Sequence, residues 1–179
     1  MPGPLRLLLA RHGQSTWNAE RRWQGQGDPP LSAQGRRQAV ALADALAAEG
    51  VEALVASDLA RAAETAAIVA RRLGLPPPRL EPRLRERGLG AWTGRTEAEI
   101  AAGWPDDLAR LRAGDPELRP GGGESGHELA QRLAALLREL AAEPPGRHVA
   151  LVTHLGVIHS LVPGFRPANA EWCRIELAR

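Results

Sequence analysis

The chain has 179 residues, 44% hydrophobic and 25% charged with a formal net charge of +2, a balance that suits one globular domain spanning 1–179 and excludes a disordered chain. Its longest apolar stretches fall far short of the roughly 18 residues of a membrane span, and Leu7-Leu8-Leu9-Ala10 is too short for a signal-peptide core, so a cytoplasmic protein with no membrane partner is expected. The single Cys173 excludes an internal disulfide and a multi-cysteine zinc site, and the absence of lysine excludes a Gly-x-x-x-x-Gly-Lys-[Ser/Thr] nucleotide cradle.

In chain order, the apolar run Leu5 to Ala10 predicts a buried strand that stops at Arg11-His12-Gly13. A helix follows from about Ala33 to Ala48, capped by Ser32 and ended by Gly50, and then a strand from Ala53 to Ala56. The helix Ala60 to Leu73 places Ala63, Ala67, Ala70 and Leu73 on one face and stops at Gly74, before Pro76-Pro77-Pro78. Leu80 to Leu84 reads as a short extended piece, and Thr96 to Ala102 and Pro105 to Arg112 as two short helices. Gly121-Gly122-Gly123 reads as a flexible hinge before a long helix, Ser125 to Ala142, striped by Leu129, Leu133, Leu136, Leu137 and Leu140. Strand Val149 to Val152, helix Leu155 to Leu161 and strand Trp172 to Leu177 complete an α/β pattern. Such alternation predicts a three-layer fold, a mainly parallel sheet with helices on both faces. If the last strand lies at a sheet edge, it could pair across a homodimer.

The chemistry-bearing residues cluster at the predicted strand ends. Arg11-His12-Gly13 and His154-Leu155-Gly156 each follow an apolar run, and Arg61 lies in the segment Ser57 to Ala66 after another. Open α/β sheets bind ligands at the carboxyl ends of their strands, so two histidines and two arginines there read as a phosphate site. Arginine presents a planar fork of donors to phosphate oxygens, a geometry lysine cannot supply. All 23 basic residues are arginine, yet Arg21-Arg22, Arg36-Arg37 and Arg71-Arg72 read as solvated helix faces, and no nucleic-acid partner is expected. The spacing offers no His-Glu-x-x-His metal site and no Gly-x-Ser-x-Gly elbow.

Arg11-His12-Gly13-Gln14-Ser15-Thr16-Trp17-Asn18 resembles the Arg-His-Gly-x-[Ser/Thr]-x-x-Asn signature of the histidine phosphatase superfamily. Leu31 to Gly35, Ser57 to Ala66, Leu84 to Gly94 and Gly122-Gly123-Glu124-Ser125 are similar to further segments of that family, so the likeness spans nearly the whole chain. It departs at Thr93, where many relatives carry glutamate. The resemblance implies a phosphoglycerate mutase-like fold and a metal-independent phosphomonoesterase without a cofactor, working through a phosphohistidine on a small phosphate monoester. His12 would be the nucleophile, Arg11 and Arg61 the phosphate clamps, His154 a second donor to the phosphoryl group, and Glu86 the acid that protonates the leaving oxygen. Asn18 and Gln24 could add neutral donors to the phosphate, with Gly25 letting the loop approach; turn formation is the competing reading for both amides. Thr153 and Gly156 could add a hydroxyl and a backbone donor. The compact size and the Gly-Gly-Glu-Ser segment look like the α-ribazole phosphatase branch, with α-ribazole 5′-phosphate as one candidate substrate, and the same features occur in broad-specificity phosphatases of the family. A phosphoglycerate mutase and a non-enzymatic phosphate-binding module are the alternatives. Trp17, Trp23, Trp92 and Trp104 fall near active-face loops where a ring could cover a leaving group, whereas Trp172 is read as core.

Overall fold

The computed structural model describes residues 5–142 and 148–177. Five strands, β1 Leu5–Arg11, β2 Ala53–Ala56, β3 Arg79–Leu80, β4 His148–Thr153 and β5 Trp172–Leu177, form one sheet in the order β3-β2-β4-β1-β5. All neighbours run parallel except β5, which lies antiparallel on β1 at the edge. Seven helices pack around it: α1 Thr16–Ala19, α2 Ala33–Ala48, α3 Ala60–Leu73, α4 Glu97–Gly103, α5 Pro105–Arg112, α6 Gly126–Ala141 and α7 Leu155–Leu161.

Burial on both faces explains why the central strands read as continuous apolar runs. Leu8 and Ala10 of β1, with Ala150 and Val152 of β4, face Leu42, Leu46, Ala62, Ala66 and Val69 of α2 and α3. Leu7 and Leu9, with Val149 and Leu151, face Leu129, Leu133, Leu136 and Leu140 of α6 and Val157 and Ile158 of α7. The α/β three-layer expectation therefore holds, with the leucine stripe of α6 where expected. Helix α3, however, packs through Ala62, Thr65, Ala66, Val69 and Ala70, so that of the expected Ala63, Ala67, Ala70 and Leu73 only Ala70 is buried, because Arg61 and its neighbours turn toward the strand ends. Ser32 caps α2 by accepting the Gly35 N–H, and Gly74 ends α3 in the left-handed region at φ 66°.

Several local expectations change. Leu80 to Leu84 is not one extended piece: β3 lasts two residues, and Pro82–Leu84 forms a 3₁₀ turn capped by the Glu81 carboxylate. The short α1 was not anticipated; a reciprocal bond between Ser15 and Asn18 caps its first turn. Arg21-Arg22 follow α1 rather than lying on a helix face, and Arg22 donates to the Gly94 carbonyl and to Glu20. Gly121-Gly122-Gly123 is a packed turn, because a Cβ on Gly123 would lie 2.2 Å from the Gly88 carbonyl oxygen and one on Gly90 would lie 2.1 Å from that of Gly121. Trp92 is fully buried in a third cluster with Leu89, Ile100 and Leu108, against which Trp23 and Trp104 pack. It therefore builds the wall behind the active face rather than covering a ligand. Trp172 is half-buried against the α2–α3 side of the sheet.

One backbone contact ties the first loop to α2. A Cβ on Gly13 would stand 2.4 Å from the Gly35 carbonyl oxygen, and one on Gly35 would stand 2.0 Å from that of Gln14. Helix propensity alone favours alanine over glycine by about 1 kcal/mol at a helical position. Gly35→Ala is nevertheless expected to destabilise the protein by about 1–3 kcal/mol through overpacking, measured by urea unfolding. A gain in stability would show that the loop and helix can separate freely.

Candidate active site

Three parallel strands end together and carry the site. Arg11 is the last residue of β1, opposite Thr153 of β4, so His12 and His154 each follow the end of adjacent strands. The His12 N–H donates to the Thr153 carbonyl and the Ser57 N–H to that of Val152, which extends the sheet's bonding one step past the regular pairs. Arg61, in the first turn of α3, reaches back over these ends. The two imidazoles lie with ring centroids 5.1 Å apart.

Hydrogen bonds define the His12 ring. Its Nδ1 lies 2.6 Å from the Gly13 carbonyl oxygen, an acceptor only, so the proton of the neutral ring sits on Nδ1. Nε2 then carries the lone pair, and the Arg61 Nε–H donates to it at 3.3 Å. The other two Arg61 nitrogens donate to the carbonyls of Gly27 and Gly25 at 2.7 and 2.8 Å. Asp58 and Glu64 are engaged elsewhere, with Arg85 and Arg36, and neither neutralises Arg61. Arg11 donates through Nη1 to the Pro167 carbonyl, while its buried Nε has no partner among the described residues. His154 is fully buried, its Nε2 is 2.8 Å from Ser57 Oγ, and its Nδ1 also has no partner.

Glu86 is set by backbone. One oxygen accepts the Arg87 N–H and the other the Gly156 N–H at the start of α7. A Cβ at Gly156 would fall 2.3 Å from the carboxylate, so this glycine makes room for the acid, and its N–H serves Glu86. Thr153 donates its hydroxyl to the Leu84 carbonyl, away from the cavity. Asn18 and Gln24 have their amide oxygens anchored, on the Ser15 N–H and the Ser15 hydroxyl respectively, which leaves both –NH₂ groups as the free ends. Asn169 braces the same corner by donating to the His12 carbonyl and to Asn18. Gly25, at φ 48°, turns its carbonyl to Arg61.

Arg11, His12, Asn18, Gln24, Gly25, Arg61 and Glu86 all line one cavity of about 1460 Å³. Trp23 is the tryptophan on its wall; the mouth carries Arg21, Arg112, Arg166, His127 and His159. Thr93 is not on that wall: its methyl group lies where a Cβ on Gly27 would touch it. Among the described residues, no three His, Cys, Asp or Glu side chains converge to hold a metal ion, and no helix is long and apolar enough to cross a membrane.

Residues 7–177 match the description of the histidine phosphatase superfamily, branch 1. The chain belongs to that family. The glucosyl-3-phosphoglycerate phosphatase of Mycobacterium tuberculosis H37Rv is 43% identical over 164 residues, 87% of this chain and 73% of that protein. A Cronobacter sakazakii protein named "Probable phosphoglycerate mutase GpmB" is 40% identical over 173 residues, 93% of this chain and 78% of the other. The mycobacterial glucosyl-3-phosphoglycerate phosphatase in complex with VO₃ superposes with a TM-score of 0.87 at 39% identity, covering 95% of this chain and 92% of that one. The α-ribazole phosphatase of Shigella flexneri shares the fold at a TM-score of 0.83 and 25% identity, covering 98% and 92% of the two chains.

Sequence reasoning overlooked Ser15, Ser57 and Asn169, whose short polar side chains give no periodic signal, and the partners of Ser57 and Asn169 at the site lie far away in the chain. It could have found Ser57, which stands directly after a buried strand and inside a segment already singled out.

Burial, followed by the Arg61 guanidinium, holds His12 well below its ordinary 6.5, and the same two causes in the same order act on His154. Burial also pushes Arg61 down to about 10, which leaves it protonated at neutral pH. Below about pH 6.5 the unfolded chain therefore binds protons at these two histidines that the native fold refuses, so stability falls as the pH drops. Each ring contributes about 1.4 kcal/mol per pH unit in that window. Urea unfolding of His12→Asn between about pH 6 and pH 5 is expected to lose one such increment of slope; an unchanged slope would mean that the native ring takes up its proton there.

Proposed function

We propose that the protein is a metal-independent phosphomonoesterase that forms a phosphohistidine at His12 and hydrolyses it. The observation that carries this reading is the juxtaposition of a neutral imidazole, with its lone pair on Nε2, and buried guanidinium donors that lack a carboxylate partner. A phosphoryl group supplies the acceptors that Arg11 Nε and His154 Nδ1 lack, and a buried donor left unsatisfied costs about 1–3 kcal/mol.

In the first step the Nε2 lone pair of His12 attacks phosphorus, forming the P–N bond as the bond to the leaving oxygen breaks. Glu86 donates its proton to that oxygen. Arg11, Arg61 and His154 hold the equatorial oxygens, where charge is greatest in the pentavalent state, and Asn18 and Gln24 add their –NH₂ donors. In the second step Glu86, now a carboxylate, takes a proton from water; the water oxygen attacks phosphorus and the P–N electrons return to His12. A non-enzymatic phosphate binder would need the arginines but neither the aligned lone pair nor an acid fixed by two backbone donors.

The leaving group this cavity favours is large and polar. At about 1460 Å³ the cavity exceeds the 300–1,000 Å³ of most small-ligand sites, so a phosphate fills only its floor. The mouth bears Arg21 and Arg166, neither with a carboxylate partner among the described residues, and one tryptophan. This composition suits a phosphorylated sugar acid, of the kind named in the mycobacterial relative, better than the flat aromatic base of α-ribazole 5′-phosphate. Room for water beside a bound phosphohistidine likewise favours hydrolysis over the mutase reading.

Steady-state turnover in excess chelator on glucosyl-3-phosphoglycerate, 3-phosphoglycerate, α-ribazole 5′-phosphate and an activated aryl phosphate tests the proposal. Phosphate release that His12→Ala abolishes is expected, with the sugar acid ester preferred; isomerisation of 3-phosphoglycerate without phosphate release would establish the mutase instead. Gly156→Ala isolates the acid. The flexible carboxylate yields to the new methyl group, so the fold survives while turnover of an alkyl phosphate falls roughly 10- to 100-fold and that of the aryl phosphate, whose leaving group needs no proton, changes little. Equal losses on both substrates would remove Glu86 from the acid role.

A further inference from the structure

The histidine beside the nucleophile must present an N–H, not a lone pair, to a phosphoryl oxygen, and its ring has one proton to place. His154 is wholly buried as the residue before α7, and its two nitrogens differ completely in surroundings. Nε2 faces Ser57 Oγ at 2.8 Å, whereas Nδ1 has no partner among the described residues. Ser57 is itself fully buried, with its backbone N–H fixed on the Val152 carbonyl one residue beyond β2.

We propose that Ser57 sets the tautomer of His154: its hydroxyl donates to Nε2 and so places the ring's only proton on Nδ1, the nitrogen that has no partner among the described residues and is left for a phosphoryl oxygen. The direction of the bond follows from what else Ser57 Oγ does. It accepts the Leu59 N–H at 3.3 Å, just ahead of α3, and among the described residues Nε2 is the acceptor within reach of its own hydrogen, which would otherwise be buried without a partner. Oγ and Nε2 close the path on that side of the ring. The alternative tautomer would present a lone pair on Nδ1 to anionic oxygens, a repulsive contact at a wholly buried ring. His12 has the same arrangement with different parts: the Gly13 carbonyl takes the Nδ1 proton and leaves the lone pair on Nε2. One ring is thus wired by a carbonyl to attack and its neighbour by a hydroxyl to donate, with centroids 5.1 Å apart.

Ser57 is a positioning residue in this scheme, and its place in catalysis rests on the phosphohistidine reading. The tautomer does not, and it is measured first, by ¹⁵N–¹H correlation of the histidine side chains in the free protein at neutral pH, with His154→Asn to assign the signals. A protonated Nδ1 on His154 is expected in the native chain, and a shift toward protonated Nε2, or a mixture, in Ser57→Ala. Protonated Nε2 in the native chain would overturn the proposal. Kinetically, Ser57→Ala should lower kcat roughly 10- to 100-fold with KM little changed, because the misplaced donor matters most when charge builds on phosphorus, and Ser57→Thr should restore both the spectrum and the rate. An altered tautomer with undiminished kcat would confine Ser57 to structure. Absence of turnover in the native protein on every phosphate ester would instead sink the phosphatase reading and leave the spectroscopic result standing. If Ser57→Ala fails to fold, Ser57→Cys, with its much weaker donor, gives the same spectroscopic comparison.

Discussion

A fully buried guanidinium holds this molecule's active end together. Arg61 has no carboxylate partner among the described residues, and three groups from two segments turn toward it: the His12 imidazole and the carbonyls of Gly25 and Gly27 in one loop. Burial of a cation without a counter-ion is unfavourable, and each hydrogen bond to such a charged group contributes about 1.5–3 kcal/mol. The protein accepts it because the same charge does three things. It orients the nucleophile, it adds to burial in keeping both imidazoles neutral, and it leaves N–H groups for an incoming anion. The 24–28 loop is therefore shaped from within by the residue it covers.

Close backbone approach is the second constraint. The first loop meets α2 through Gly13 and Gly35, the triple-glycine turn meets the Gly88–Gly90 stretch, and Gly156 clears the space occupied by the Glu86 carboxylate. At each contact a methyl group would collide with a carbonyl or carboxylate oxygen. These glycines act as spacers between segments far apart in the chain, and the positions of His12 and Glu86 depend on them.

The arginines divide into two populations. Arg36, Arg72, Arg110 and Arg119 lie on the surface, paired with Glu64, Asp44, Asp115 and Glu128, and such exposed pairs contribute about 0–1 kcal/mol each. The two proposed to bind phosphate, Arg61, fully buried, and Arg11, half-buried, are bonded to carbonyls. Arg132 is a structural intermediate: half-buried, it ties Glu124 to the carbonyls of Arg83, Arg85 and Glu86, and so fixes the loop that carries the acid. An exclusively arginine complement suits this division, since a planar fork can satisfy several carbonyls at once.

Local chemistry in the sequence was enough to point to the doubly covered parallel sheet, the long helices with their caps, and His12, His154, Arg11 and Arg61 at neighbouring strand ends, whereas Glu86 joined them only through the resemblance to the family. Continuous apolar runs, 3.6-residue stripes and strand-end histidines are all properties of neighbouring residues, and they survive into the folded state because the sheet buries both faces. What the tertiary structure alone decided depends on contacts between distant segments: the 3₁₀ turn after β3, the packed glycine turn in place of a hinge, Trp92 in the wall, and Ser15, Ser57 and Asn169 around the site. The tautomers belong to that second group. Which nitrogen of each histidine holds the proton is set by one carbonyl and one hydroxyl, and the hydroxyl is 97 residues away from its ring.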